Sequence, residues 1–189
     1  MTRTHASGYR IGAATRTSDG KRGTVCALVV DPHTRAVTRL AVNPPHQHHR
    51  ARLVPVAMTT AEPTGEVRLA YDYDSVSHLD QLDELDVGSS RTYGTRGSDD
   101  SIDRVEHVSV WIDRPPDGEA ALRVRTPVRV GGDTIGYVEG LITGFDDHIT
   151  ALLVASGHPW ARRTIAVPVD ALTRVESTAV TVAATWGMA

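Results

Sequence analysis

Cysteine occurs once, at Cys26, phenylalanine once, and aromatic residues make up only 5% of the 189-residue chain. A single thiol closes no internal disulfide and builds no multi-thiolate metal site, which fits a reducing compartment and sets aside zinc ribbons and iron-sulfur clusters. Long apolar runs are also missing. The best stretch, Ile149 to Ala161, is interrupted by His158 and Pro159 and falls short of the ~20 residues a membrane helix needs. The amino-terminal MTRTHASGYR has no apolar core of the signal-peptide kind. Nor is there an excess of either charge, with 20 Lys and Arg against 23 Asp and Glu. That balance excludes a generally basic nucleic-acid coat and a highly charged disordered chain. With 40% apolar residues, the expectation is a soluble cytoplasmic protein of one ordinary domain or two small ones, with no integral membrane segment.

What is present is an internal repeat. Gly23-Thr-Val-Cys-Ala-Leu-Val-Val matches Gly136-Tyr-Val-Glu-Gly-Leu-Ile-Thr at a separation of 113 residues. After one compensating deletion, Val37-Thr-Arg-Leu-Ala-Val meets Ile149-Thr-Ala-Leu-Leu-Val, and Leu53-Val-Pro-Val then meets Ala166-Val-Pro-Val with the separation restored. Val67-Arg-Leu and Val180-Thr-Val keep the same spacing, and four segments in fixed order imply repeated architecture. The copies cover residues 9–71 and 118–186. Their runs are short, β-branched and bounded by turn residues, which predicts small all-β barrels or sandwiches. Gly20, Gly23, Asp31, Pro32, Pro55, Gly132, Gly136 and Pro168 are assigned to turns and strand punctuation, where Gly supplies positive φ and Pro suits a strand start or an edge.

The intervening residues 72–117 differ in character, holding 12 acidic residues and 4 Arg against a first copy, 1–71, with 10 basic and 4 acidic. A capping Asp74 followed by Val76, Leu79, Leu82 and Leu85 on one stripe, with Gly88 as a stop, predicts a short amphipathic helix. Ser89 to Ser101 reads as a mobile Gly/Ser/Thr stretch, and Val105 to Ile112 as a strand-like run able to pair with either barrel. An acidic segment tethered to a basic barrel is also placed to fold back on it.

Catalytic constellations are scarce: no Gly-x-Ser-x-Gly, phosphate-binding loop or His-Glu-x-x-His occurs. No enzymatic activity, small-molecule substrate, metal or cofactor is expected. The candidate site is the loop carrying His46, His48, His49, Arg50 and Arg52, whose counterpart in the second copy carries His158, Trp160, Arg162 and Arg163. Three readings stay open: an anion- or partner-binding surface, since the guanidinium fork suits phosphate and carboxylate and Trp160 offers a stacking face; a partial metal site of three imidazoles; and a solvated polar loop. Cys26 reads as a small core residue, and Trp111 and Trp186 as barrel-plugging or interface residues.

The order Ile11-Gly, Ser18-Asp-Gly-Lys-Arg-Gly23, Leu28-Val-Val-Asp31-Pro32, Val37-Thr-Arg-Leu40 and Leu53-Val-Pro55-Val resembles a PRC-barrel domain. This β-barrel module is named after the photosynthetic reaction centre H subunit and is also found in the ribosome maturation factor. The second copy is similar through Gly132 to Val169, departing where Gly144-Phe-Asp-Asp replaces Asp31-Pro32. The resemblance implies two PRC-type barrels in tandem, pseudo-twofold related, with no shared catalytic residues. It implies an adaptor or docking role toward a protein partner or a second copy of the chain. The alternative is an RNA-associated factor of the ribosome-maturation kind that holds RNA or an acidic ribosomal protein on its arginine loops.

Overall fold

A computed structural model describes residues 7–44, 50–91, 105–144, 146–157 and 161–186, with the backbone alone for 7, 83–91 and 105–113. The predicted all-β architecture is what forms. The first curled sheet contains β2 (Ala14–Arg16), β3 (Arg22–Asp31), β4 (Ala36–Asn43), β5 (Arg52–Pro55), β6 (Thr59–Ala61) and β7 (Val67–Leu69), in the order β5-β4-β3-β2-β7-β6. The second contains β11 (Pro127–Val130), β12 (Asp133–Thr143), β13 (Ile149–Ser156), β14 (Arg163–Pro168), β15 (Leu172–Val175) and β16 (Val180–Val182), in the order β14-β13-β12-β11-β16-β15. The two orders are the same once the repeat is aligned. Even the parallel pair recurs, Thr15 with Val67 and Val128 with Val180, each 113 residues from its counterpart. A 3-10 turn follows each edge strand, Val56–Met58 and Val169–Ala171.

Each sheet takes its remaining strand from the other repeat. β1 (Ser7–Arg10) pairs antiparallel with β12, setting Ser7 opposite Thr143 and Tyr9 opposite Leu141. β10 (Ala120–Leu122) pairs with β3, setting Ala120 opposite Val30 and Leu122 opposite Leu28. These registers interconvert under the 113-residue shift, so the exchange is reciprocal, as a pseudo-twofold requires. Hairpin turns of the two sheets also meet, with the Val37 amide donating to the Asp147 carbonyl (3.0 Å) and the Ile149 amide to that of Arg35 (2.8 Å). Arg35 holds a left-handed backbone, φ 55°. Its guanidinium compensates by donating to the carbonyls of Val169 and Leu172, across the boundary between repeats, at 3.0 and 3.1 Å.

Alternating apolar residues of both sheets close over one shared core. Its fully buried members include Tyr9, Leu28 and Leu40 from the first repeat and Leu122, Leu141 and Leu152 from the second. On β10, burying Leu122 contributes about 2 kcal/mol. The partly buried Arg39–Glu119 ion pair at 2.6 Å contributes about 1 kcal/mol. Apolar burial therefore holds the exchanged strand, and the ion pair helps fix its register.

The intervening segment departs from expectation. The helix, α1, spans only Tyr73–Ser77 and is capped by Asp72, whose carboxylate accepts from the Ser75 amide at 2.8 Å, rather than by Asp74. Leu85 and Gly88, expected on and after that helix, belong to strand β8 (Asp83–Arg91), which pairs with β9 (Val105–Asp113). The strand-like run thus joins neither barrel sheet. Tertiary pairing wins over the helical stripe because the Leu82 amide is bonded to the Ala51 carbonyl and its side chain is fully buried. Of the expected mobile stretch, Ser89–Arg91 is strand and the rest lies outside the described residues.

Gly20 and Gly132 hold turns at φ 85° and 100°. Gly23 and Gly136, also assigned to turns, instead lie inside β3 and β12. They are small because a neighbouring strand crosses closely: a Cβ on Gly136 would stand 2.4 Å from the Ala155 carbonyl oxygen. Among the described residues no helix is long and apolar enough to cross a membrane.

Candidate functional site

The two loops singled out in the sequence join topologically equivalent strands, β4 to β5 and β13 to β14. His46, His48, His49, His158 and Trp160 lie outside the described residues. Arg50, Arg162 and Arg163 are exposed, and the alignment superposes Arg50 on Arg163. Arg52 has a structural task, donating from Nη1 to the Leu79 carbonyl at 2.8 Å, and its counterpart is Ile165. Among the described residues no group of three His, Cys, Asp or Glu side chains is placed to hold a metal ion.

Arg52 anchors a strap. In residues Asp80–Leu82 the chain runs antiparallel along the outer edge of β5, where the Leu53 amide donates to the Asp80 carbonyl and the Leu82 amide to the Ala51 carbonyl, both at 2.9 Å. Leu82 closes a second apolar cluster on the outer face of the first sheet, against Ala27, Val29, Ala41, Leu53 and Ala121. The equivalent strand β14 has β13 on one side and no strand on the other among the described residues. Four of its six residues are exposed. This asymmetry was missed from sequence. Its trace there is the replacement of Ala51 and Leu53 by Thr164 and Ala166.

A second surface feature is an open pocket of about 390 Å³ between the repeats, lined by Ile11, Gly12, Thr24, Cys26, Val124 and Arg125 among others. It too marks a break in symmetry. Thr24 and Cys26 correspond to Tyr137 and Glu139, larger side chains, and Glu139 is tied to Arg10 at 2.7 Å and to Thr164 at 2.8 Å. Cys26 is half-buried and its thiol donates to the Ala41 carbonyl, as befits a residue packed beside the second cluster. Trp186 packs at the margin of the shared core. Trp111 is in β9, where the backbone alone is described.

The electrostatics of the described surface belong to turns rather than to a reacting centre. Asp19 is held below the ordinary carboxylate value chiefly by the Thr17 hydroxyl, Asp31 by the His33 amide, and Asp72 by Ser75. Asp146 is lowered by its own amide and by the neighbouring His148. In each case hydrogen bonds to the charged form outweigh the small cost of desolvation.

No family model, no curated protein and no solved structure matches the chain.

Proposed function

We propose that the chain is a non-catalytic docking protein, a tandem of PRC-type barrels that binds a protein partner, or a second copy of itself, through the barrel surfaces. The reading places it in the cytoplasm. The observation that carries it is the asymmetry of the two edge strands, β5 covered by the chain's own strap and β14 left with four exposed residues. An uncovered edge offers backbone donors and acceptors that proteins otherwise blunt or use for pairing. A rigid shared core behind it means that the edge is presented in one geometry.

Arg50, Arg162 and Arg163, exposed on equivalent loops, favour a second reading, contact with RNA phosphates. Affinity capture from the native source, with and without ribonuclease, separates the two. Arg50→Ala, Arg162→Ala and Arg163→Ala together serve as control, Arg52 being left intact because it holds the strap. Docking predicts a defined protein partner, or the chain itself, retained after ribonuclease. RNA recovered only by the unmutated protein, with binding that falls steeply as salt rises, overturns docking in favour of the phosphate reading.

A further inference from the structure

The geometry points to the outer edge of β14 as a strand-addition site for an extended acidic peptide that carries one large apolar side chain. This inference rests on the docking reading and names the partner's chemistry. The first repeat shows the occupied form of the same site. There the strap residue Asp80 accepts from the Leu53 amide, Leu82 donates to the Ala51 carbonyl, and the Leu82 side chain is buried on the outer face.

In the second repeat the register is the same, since Leu153 faces Ala166 as Ala41 faces Leu53. The Ala166 amide and the Thr164 carbonyl therefore point off the edge, and among the described residues neither has a backbone partner there. The face beneath is correspondingly open. Ala166 is exposed where Leu53 is buried, Ile142 is half-buried where Val29 is fully buried, and Leu153 retains 8% exposure where Ala41 has none. Glycine at 8 stands where the first repeat has Ala121, while at Gly140 the place of the Ala27 methyl is taken by the crossing Tyr9 carbonyl and the Arg10 side chain, so the hollow is a shallow one over Ala166, Ile142 and Leu153. An apolar side chain at the place of Leu82 fills it, and alternate residues of an added strand point the other way.

Charge selects the occupant. The strap runs antiparallel to β5, so the chain beyond Leu82 leaves toward the amino-terminal end of that strand, continuing as Asp83-Glu84. The matching end of β14 carries exposed Arg162 and Arg163. A ligand with carboxylates just after its apolar residue meets opposite charge there.

The probe is a synthetic peptide of the chain's own strap sequence, Leu79 to Leu85, added to the full chain while amide exchange and binding are followed by NMR. The expected result is saturable binding with new protection at the Ala166 amide. Binding should weaken about tenfold or more in the Arg162→Glu/Arg163→Glu protein, with a comparable loss for a peptide bearing Ser in place of the Leu82 residue. Both substituted arginines are exposed, so the variant folds as the parent does. No protection at Ala166 at saturating peptide, or protection at Leu53 alone, overturns the site. Protection of Ala166 without peptide that grows with protein concentration overturns the peptide occupant in favour of a second copy. If the Arg162→Glu/Arg163→Glu variant, carrying Ile142→Asp as well, still captures the ribonuclease-resistant partner, docking stands and this edge is not where it happens.

Discussion

The hydroxyl of Tyr9 lies 3.2 Å from Oγ1 of Thr59, joining a strand paired into the second sheet to a strand of the first. Thr59 already gives its hydroxyl proton to the Val56 carbonyl at 2.8 Å, so Tyr9 is the donor. The equivalent positions in the other half hold Leu122 and Leu172, both buried. One polar pair and one apolar pair thus occupy pseudo-equivalent places in a common core. Tyr9→Phe removes a donor and should cost about 1 kcal/mol. Thr59→Val removes the acceptor of that bond together with the Thr59 bond to the Val56 carbonyl and should cost about 1 kcal/mol or more. The double variant should cost less than the two single effects added, because it recreates the apolar solution. A urea-unfolding cycle checks this, and strict additivity would mean that the pair is uncoupled.

Strand exchange makes a directional prediction. Removing residues 1–10 takes β1 from the second sheet, not from the repeat to which it belongs in sequence. Hydrogen exchange should accelerate first in β12 over Gly140–Thr143, which β1 covers, while β3 keeps its protection under β10. Leu122→Ala should do the reverse, loosening β3 around Leu28 and costing about 3 kcal/mol. Loss confined to the same repeat as the lesion would contradict the exchanged pairing.

Much of the fold was legible in the sequence because a period-113 match preserves strand order, and order is what a sheet path requires. The strands that contain Gly23 and Gly136 recur at the spacing of the repeat, and Pro55 and Pro168 lie on edge strands as expected, though they end those strands and do not start them. Partner choice was not legible. Ser7–Arg10 and Ala120–Leu122 have the right composition for either sheet, and only the shared core decides. Leu82 misled for a related reason: its spacing from Val76 and Leu79 suits a helix, but the β5 edge needs a covering strand and takes it. At the site, the arginines at 50, 162 and 163 were found as exposed groups. Arg52 looked identical in sequence, yet it is consumed by the strap, whose existence no local pattern announced.

Acid should remove one specific contribution to stability. The folded value of Asp72 lies below the ordinary 3.8 because the Ser75 hydroxyl and amide bind its charged form. Its stabilisation is therefore complete above about pH 3.8 and is lost as the pH falls through the lower, folded value. Asp72→Ala, which removes the cap acceptor of α1, should melt below the parent at neutral pH. The two melting temperatures should converge as the pH drops beneath that window. A gap that persists in acid would assign the effect to something other than the carboxylate cap.

Three glycines in different settings should rank by what a methyl group meets. At Gly20 a Cβ finds open space, and the cost is only the φ of 85°, about 1 kcal/mol for Ala. At Gly23 it would stand 2.7 Å from the Asn43 carbonyl oxygen, 2.8 Å from Thr15 Oγ1 and 3.2 Å from Val42 Cγ1. Two of those three are side-chain atoms, so rotation relieves part of the clash. At Gly136 the nearest atom is backbone, the Ala155 oxygen at 2.4 Å, with the Ala155 carbonyl carbon behind it at 3.0 Å. Relief there requires β12 and β13 to separate, so Gly136→Ala should be the most damaging of the three, at about 3 kcal/mol. Urea denaturation of the three alanine variants gives the ranking directly. If Gly20→Ala proved the worst, turn conformation rather than strand crossing would be what these glycines protect.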